Sequence, residues 1–94
     1  MLESTVESCV CEYAERYGVY VRKLQWLGRR GGPDRFMAYN GIVGMAEFKK
    51  KNKKPDRLQQ KEHEKLRRRG INTVVIDDIE AGCAWVRETF KLNV

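Results

Sequence analysis

Two acidic residues and a lysine are the strongest candidates in the chain for a site that binds a metal ion or catalyses a reaction. Asp34 and Glu47 flank the dipeptide Asn40-Gly41, which favours a two-residue hairpin turn. With that turn, opposed positions sum to 81, so the pattern predicts that Asp34 faces Glu47. Lys49 follows two residues later, on the same face of the strand as Glu47.

Two directly opposed carboxylates repel each other, so this arrangement requires a compensating charge. Lys49 offsets part of that charge. A hard divalent cation offsets it better, because Mg²⁺ prefers carboxylate oxygens and keeps several of its waters. The alternative is a surface cluster of Asp, Glu and Lys at a strand end, and the spacing alone leaves both interpretations open.

The hydrophobic pattern predicts the elements that position these side chains. It indicates one domain over residues 1–94 with the order αβββαβα. Helices are expected at 2–17, from Pro55 to Arg69, and after a cap at Asp77 or Asp78; strands are expected at 19–24, 34–39, 42–49 and 71–76. Apolar residues on both faces of the hairpin strands favour an α/β fold with helices on both sides of the sheet.

Two helices also bring polar side chains towards the sheet. On the second helix, Gln59 and His63 share the inward face with Leu66. We expect a small cleft beside the acidic pair at the rim of the sheet. Gln59 is expected to reach this cleft, and His63 to be a hydrogen-bonded structural histidine. On the first helix, Glu7 lies in a row beside the apolar stripe, which allows it to reach inward.

The positive charge is concentrated in one segment. The chain carries 19 Lys and Arg against 13 Asp and Glu, a formal charge of +6. Residues 49–69 hold eleven of these cations against three acids, a net charge of +8. A solvated helix face explains such a run, but its density in a small domain favours a polyanionic partner. Charge alone does not separate DNA from RNA, or binding from catalysis.

The cysteines and the hydropathy exclude several classes of protein. Cys9, Cys11 and Cys83 are odd in number, and the first two are too close for an ordinary disulfide bridge. A single histidine and the lack of a Cys-x-x-Cys motif argue against a zinc site. We expect a reduced intracellular protein with Cys9 and Cys83 as small core residues. No apolar run approaches the roughly 20 residues of a membrane helix, so no membrane partner is expected.

Three motifs together resemble a known family, the virus-type replication-repair nuclease (VRR-NUC) domain of the PD-(D/E)xK superfamily. The similar segments are Gly28-Arg29-Arg30-Gly31-Gly32-Pro33-Asp34-Arg35, then Glu47-Phe48-Lys49, then Leu58-Gln59-Gln60 with His63, Leu66 and Gly70. The resemblance extends from about Glu3 to Trp85, and the spacing of Lys23 after Glu7 also fits it.

This resemblance implies the PD-(D/E)xK core with a mixed sheet, and it implies roles for individual residues. Asp34 and Glu47 are expected to bind Mg²⁺ or Mn²⁺ with help from the Phe48 backbone carbonyl. Lys49 is expected to position or activate the attacking water, Gln59 to support that end of the site, and Glu7 to hold metal-bound water or a second metal. The residues expected to contact nucleic acid are Lys23, Arg29, Arg30, Arg35, Lys50, Lys51, Lys53 and Lys54.

The function that follows is a metal-dependent endonuclease acting on DNA, preferably four-way junctions or other branched DNA. The resemblance implies a homodimer in the cytoplasm of a bacterial or phage-infected host cell, without a small-molecule cofactor. Trp26, Trp85 and Leu92 are candidates for the dimer interface, as apolar groups that a small core need not absorb. The alternatives are a non-catalytic nucleic-acid-binding module and a restriction-type or single-strand nuclease with the same core.

Overall fold

The computed structural model describes residues 1–94, and its elements follow the predicted order αβββαβα. The helices are α1 (Glu3–Arg16), α2 (Arg57–Arg68) and α3 (Ile79–Phe90); the strands are β1 (Tyr20–Lys23), β2 (Arg35–Tyr39), β3 (Ile42–Phe48) and β4 (Asn72–Ile76). The predicted α/β fold class is confirmed, and most elements end a residue or two inside their predicted bounds. None of the helices is both long enough and apolar enough to cross a membrane.

The four strands form one mixed sheet in the order β1-β2-β3-β4. The first two pairs are antiparallel, and β3 and β4 are parallel. The hairpin between β2 and β3 turns at Asn40 and Gly41, whose φ angles of 53° and 84° are those of a type I′ turn. Tyr39 pairs with Ile42, so the predicted register is confirmed along this ladder.

Helices α1 and α3 cover one face of the sheet and enclose the hydrophobic core. Its buried members are Val6, Val10, Cys11, Ala14, Val19, Val21, Met37, Ala46, Phe48, Ile76, Val86 and Phe90. Cys11, rather than Cys9, lies in this core, while Cys9 and Cys83 are half-buried. The prediction for Cys9 is wrong because the helix turns Cys11 towards the sheet. Trp85 and Leu92 pack against the same core.

Helix α2 covers the opposite face near β4, so helices lie on both sides of the sheet as predicted. His63 is 1% exposed between α2 and the sheet, and Arg67 Nε donates to the Thr73 carbonyl at 3.0 Å. Towards β1 this face is open, and Tyr20 is 51% exposed. This face of the sheet is therefore closed to solvent beside α2 and open towards β1.

Helix α2 begins after Pro55 rather than at it. Asp56 is the N-cap residue, and its side chain accepts a hydrogen bond from the Gln59 amide at 2.9 Å. The Gln59 side chain accepts one from the Asp56 amide at 3.0 Å, completing a capping box. The prediction that Pro55 lies in the first turn is wrong because the extended Asp56 (ψ 175°) separates Pro55 from the helix.

The close approach of α1 and α3 depends on Gly82. A Cβ atom there would lie 2.6 Å from Cγ2 of Val10 and 2.8 Å from Cγ2 of Ile76.

We predict that Gly82→Ala lowers the free energy of unfolding by about 1–3 kcal/mol through overpacking, measured by urea denaturation. The matched control Ala81→Ser, at an exposed position of the same helix, should stay within about 0.5 kcal/mol of the wild type. Unchanged stability of Gly82→Ala would contradict the rigid contact.

Candidate active site

Asp34 lies where the hairpin ladder stops. The last regular pair is Arg35 with Ala46, and the Asp34 amide donates to the Ala46 carbonyl at 3.0 Å, one residue out of register. The Asp34 side chain then accepts a hydrogen bond from the Phe48 amide at 2.8 Å. The predicted direct opposition of Asp34 and Glu47 is therefore replaced by an offset arrangement. The physical reason is that the Asp34 carboxylate accepts the hydrogen bond that the Phe48 amide would otherwise donate to a backbone carbonyl.

Glu47 is a buried carboxylate on the α2 side of the sheet. It is only 3% exposed. Its Oε2 accepts a hydrogen bond from Nε2 of Gln59 at 3.0 Å and lies 3.6 Å from Nζ of Lys49. Its Oε1 is buried with no hydrogen-bond partner. One oxygen of Glu47 is thus held by the protein, and the other is left for a further ligand.

The buried environment opposes ionisation of both carboxyl groups. Burial raises the pKa of Glu47 to about 7; the charge of Asp34 adds to this rise, and Lys49 opposes it. Burial also raises the pKa of Asp34, the hydrogen bond from Phe48 opposes the rise, and the charge of Glu7 adds to it. Additional positive charge would therefore stabilise the ionised forms of both side chains.

Gln59 links the capping of α2 to the site. Its side-chain oxygen caps the helix at Asp56, while its amide nitrogen donates to Glu47. Both terminal atoms of the side chain are therefore fixed. The structure places Gln59 at the sheet, in the position that the sequence pattern predicted.

Glu7 and Arg35 meet at the same end of the sheet. Nε of Arg35 donates to Oε2 of Glu7 at 2.7 Å, and the two side chains are 20% and 21% exposed. The chain thus pairs a residue expected to bind metal-associated water with one expected to contact phosphate. The charge of Glu7 is close enough to Asp34 to raise the pKa of the Asp34 carboxyl group.

The residues expected to contact nucleic acid lie mainly on exposed loops. Lys23 ends the edge strand β1, and Lys49 is half-buried beside Glu47. The segment 50–54 is exposed; it is tethered at its turn by a hydrogen bond of 2.9 Å from the Asn52 amide to Asp77 and by Lys51, 3.5 Å from Asp78. Arg29 and Arg30 are both exposed and lie on the Gly-rich loop, residues 28–33.

His63 and Trp26 differ from the expectations for them. Nε2 of His63 is buried without a hydrogen-bond partner, and burial lowers the pKa of the ring. His63 is buried as expected of a structural histidine, but the expected hydrogen bond is not formed at Nε2. Trp26 is not a free apolar group, because its Nε1 donates to Oε2 of Glu62 at 2.8 Å. No spacing signal could link Trp26 to Glu62, which is 36 residues away in sequence.

The donor set fits a hard divalent cation bound with few protein ligands. No cluster of three or more His, Cys, Asp or Glu side chains could hold a metal ion here. Mg²⁺ does not require one, because it commonly binds one or two carboxylates and completes its shell with water and substrate phosphate. The unpartnered Oε1 of Glu47 and the raised pKa values of both carboxyl groups fit such an ion.

Known proteins resemble this chain in sequence and in structure. No family model matches it. It is 33% identical over 76 residues to the protein named "Putative nuclease p44" of Acyrthosiphon pisum secondary endosymbiont phage 1, covering 80% of this chain and 82% of that protein. A solved VRR_NUC domain superposes with a TM-score of 0.84 at 34% identity, covering 90% of this chain and 94% of the other.

The chain belongs to the VRR_NUC family. A second solved VRR_NUC domain protein, 20% identical, shares the fold with a TM-score of 0.77 over 97% of this chain and 89% of its own. The family resemblance expected from the three motifs is thereby confirmed, and with it a nuclease function. The VRR_NUC sheet positions Asp34 at the end of the hairpin ladder and Glu47 beside α2.

The raised pKa of Glu47 predicts how stability changes with pH in metal-free buffer. Because the folded pKa is about 7 rather than the ordinary 4.5, the native state binds the proton more tightly than the unfolded state. This contribution is fully present below pH 4.5 and is lost as the pH rises through about 7. With EDTA present, Glu47→Gln should be more stable than the wild type at pH 8 by about 1–3 kcal/mol.

Urea denaturation between pH 4 and pH 8, with both proteins in EDTA, measures this difference. The gap between Glu47→Gln and the wild type should widen with rising pH and level off above about 7. Glu12→Gln, on the exposed side of α1, is the matched control and should follow the wild-type curve. A pH-independent gap would contradict a buried, titrating Glu47.

Proposed function

We propose that this nuclease is a divalent-metal-dependent endonuclease that hydrolyses DNA phosphodiester bonds at the Asp34–Glu47 site. The observation that supports it best is the buried Oε1 of Glu47, which has no partner in the chain. An unpaired buried carboxylate oxygen is costly, and a bound cation would remove that cost. Lys49 and Gln59, which both approach Oε2, leave this second oxygen free.

Asp34, Glu47 and the Phe48 backbone carbonyl would hold the Mg²⁺ or Mn²⁺ ion. When bound, such an ion polarises the phosphate and lowers the pKa of water, which supplies the nucleophile. Asp34 is positioned for this by the Phe48 amide, which fixes its Oδ2. Glu47 is positioned by Gln59, which is itself fixed by the helix cap.

Lys49 is the proposed catalytic cation of the chain. Its ammonium group lies 3.6 Å from Glu47 and is about one quarter exposed. It therefore reaches the boundary between the buried carboxylate and solvent, where a scissile phosphate would lie. There it offsets the phosphate charge and orients the attacking water.

Glu7 and Arg35 are assigned to support the Asp34 side of the site. Their ion pair of 2.7 Å neutralises both charges within the chain. Arg35 engages only Oε2 of Glu7, so Oε1 is the oxygen that would bind metal-associated water or a second ion. Arg35 is suited to respond to substrate, since a phosphate competes for the same guanidinium.

For the substrate, we propose branched DNA cut by a homodimer. A four-way junction requires two matched incisions, and a two-fold dimer supplies two sites in matching orientation. Trp85 and Leu92 pack on the core and Trp26 is bonded to Glu62, so none of the three expected interface groups is a free apolar side chain. The dimer is supported by the symmetry of the junction and by the family resemblance.

The site assignment predicts loss of cleavage without loss of fold. Asp34→Asn and Glu47→Gln should each reduce cleavage of junction, flap, duplex and single-stranded DNA by at least about a thousandfold, because each removes a charged ligand. EDTA should abolish wild-type cleavage, and Mg²⁺ or Mn²⁺ should restore it. Circular dichroism checks the fold, and Glu12→Gln serves as the control. A variant that cuts at the wild-type rate in excess Mg²⁺ would overturn the assignment.

Lys49→Ala should separate cleavage from binding. We expect cleavage to fall by about a hundredfold or more, since the cation acts on the reacting phosphate. DNA affinity should change by less than about threefold, because the lysine is one of many cations. Lys53→Ala, on the exposed loop, is the control and should keep near-normal cleavage. Parallel loss of affinity and activity in Lys49→Ala would indicate a purely electrostatic role.

The assembly prediction concerns molar mass. The monomer is 11.0 kDa, so a homodimer has a mass of about 22 kDa by doubling. Light scattering at micromolar protein, with and without junction DNA, should give the larger value. A mass of 11 kDa together with full junction cleavage would rule out the dimer.

A further inference from the structure

The outer face of α2 and its C-cap residue, Arg69, carry a row of four cations. Arg57, Lys61, Lys65 and Arg69 follow one another at intervals of four residues, and all are exposed. Residues at this spacing lie on one side of a helix, about 6 Å apart along its axis. The opposite side of α2 is the one that holds Gln59 and His63 against the sheet. The row is therefore separate from the Asp34–Glu47 site, although it lies on the helix that supplies Gln59 to that site.

A shallow groove runs between this row and the Gly-rich loop. Its volume is about 380 Å³, and Arg29 and Arg30 line it from the loop while Lys61 and Lys65 line it from the helix. Glu62 is the single acid among its lining residues. Glu62 already lies 3.8 Å from Arg29 and 3.4 Å from Lys65, so its charge is locally paired. The groove therefore carries a net positive charge.

The loop is held on the helix by tight packing, so the groove is already formed. Trp26 donates its indole proton to Glu62 and covers Gly32, where a Cβ atom would lie 2.6 Å from the ring. At Gly31, which has a φ of +96°, a Cβ atom would lie 2.8 Å from the Leu58 carbonyl oxygen. These contacts fix the two walls relative to each other. We call them the Trp26–Glu62 clamp.

We propose that this groove binds the phosphate backbone of the duplex that flanks the cut. The inference rests on the proposed DNA cleavage and adds a binding surface outside the Asp34–Glu47 site. Leu58 is the only apolar side chain in the lining, so the groove lacks the apolar walls of a small-molecule pocket. It also lacks an aromatic platform for stacked bases, which single-strand binding sites use. Preformed cations without stacking groups favour a duplex backbone.

The test compares variants of equal net charge. Lys61→Gln/Lys65→Gln removes two cations from the groove, and Arg16→Gln/Lys91→Gln removes two exposed cations outside it. Affinity for a labelled duplex is measured by fluorescence anisotropy in EDTA over a series of salt concentrations. The groove variant should bind roughly tenfold or more weakly, and its slope of log affinity against log salt should shrink by about 1.8. The control should bind within about twofold of the wild type.

Trp26→Phe separates the shape of the groove from its charge. This variant keeps every cation but loses the indole donor to Glu62. We expect duplex affinity to fall by about threefold or more, because the two walls are no longer fixed together. Thermal unfolding checks that the variant is folded. Wild-type affinity in Trp26→Phe would overturn the role of the clamp.

The outcomes separate this inference from the proposed function. With Mg²⁺, the groove double variant should raise KM for duplex-flanked substrate and leave kcat within about twofold, as expected for a contact outside the reacting atoms. Equal duplex affinity of the groove and control variants would overturn the inference, even if wild-type cleavage is normal. Selective loss of single-strand binding would assign the groove to a single strand and overturn the duplex assignment. If the groove variant loses duplex binding and the wild type cleaves no DNA, the binding role of the groove is upheld and the catalytic proposal is refuted.

Discussion

The arrangement of the site depends on keeping Glu47 buried beside a second carboxylate. At 3% exposure, its ionised form is disfavoured by burial and by Asp34, and Lys49 and Gln59 compensate only at one oxygen. Each surrounding element contributes to this balance. The hairpin fixes the backbone of Glu47, and the cap of α2 fixes Gln59. The Phe48 amide holds Asp34. Two neighbouring carboxylates whose negative charge the chain only partly compensates attract a cation, and a bound cation in turn attracts a phosphate.

The two faces of the sheet have different tasks. On the face of α1 and α3, close packing around Gly82 and Phe48 makes a dry core that holds the strands. On the face of α2, the helix carries few apolar residues and is held largely by polar contacts, such as that of Arg67 with Thr73. This division leaves a polar, partly open face for nucleic acid, while stability comes from the opposite side.

The Gly-rich loop connects these features in a single segment. Its glycines allow Gly31 to approach the backbone of α2 and Gly32 to lie under Trp26. Pro33 and Asp34 follow directly, so the contact that positions the loop also determines where β2 begins. Larger residues at these glycines would push the loop off the helix. The cationic groove and the entrance to the site are thus parts of one packed unit.

The sequence by itself determined the element order, the hairpin register and the inward position of Gln59, because turn chemistry and hydrophobic spacing act over short distances. It did not determine the offset of Asp34, since that depends on whether a side chain or a carbonyl takes the Phe48 amide. Nor did it reveal the pairing of Glu7 with Arg35, 28 residues apart. Such contacts are decided only by the tertiary structure, because packing brings together polar groups whose separation in the sequence has no periodic signal.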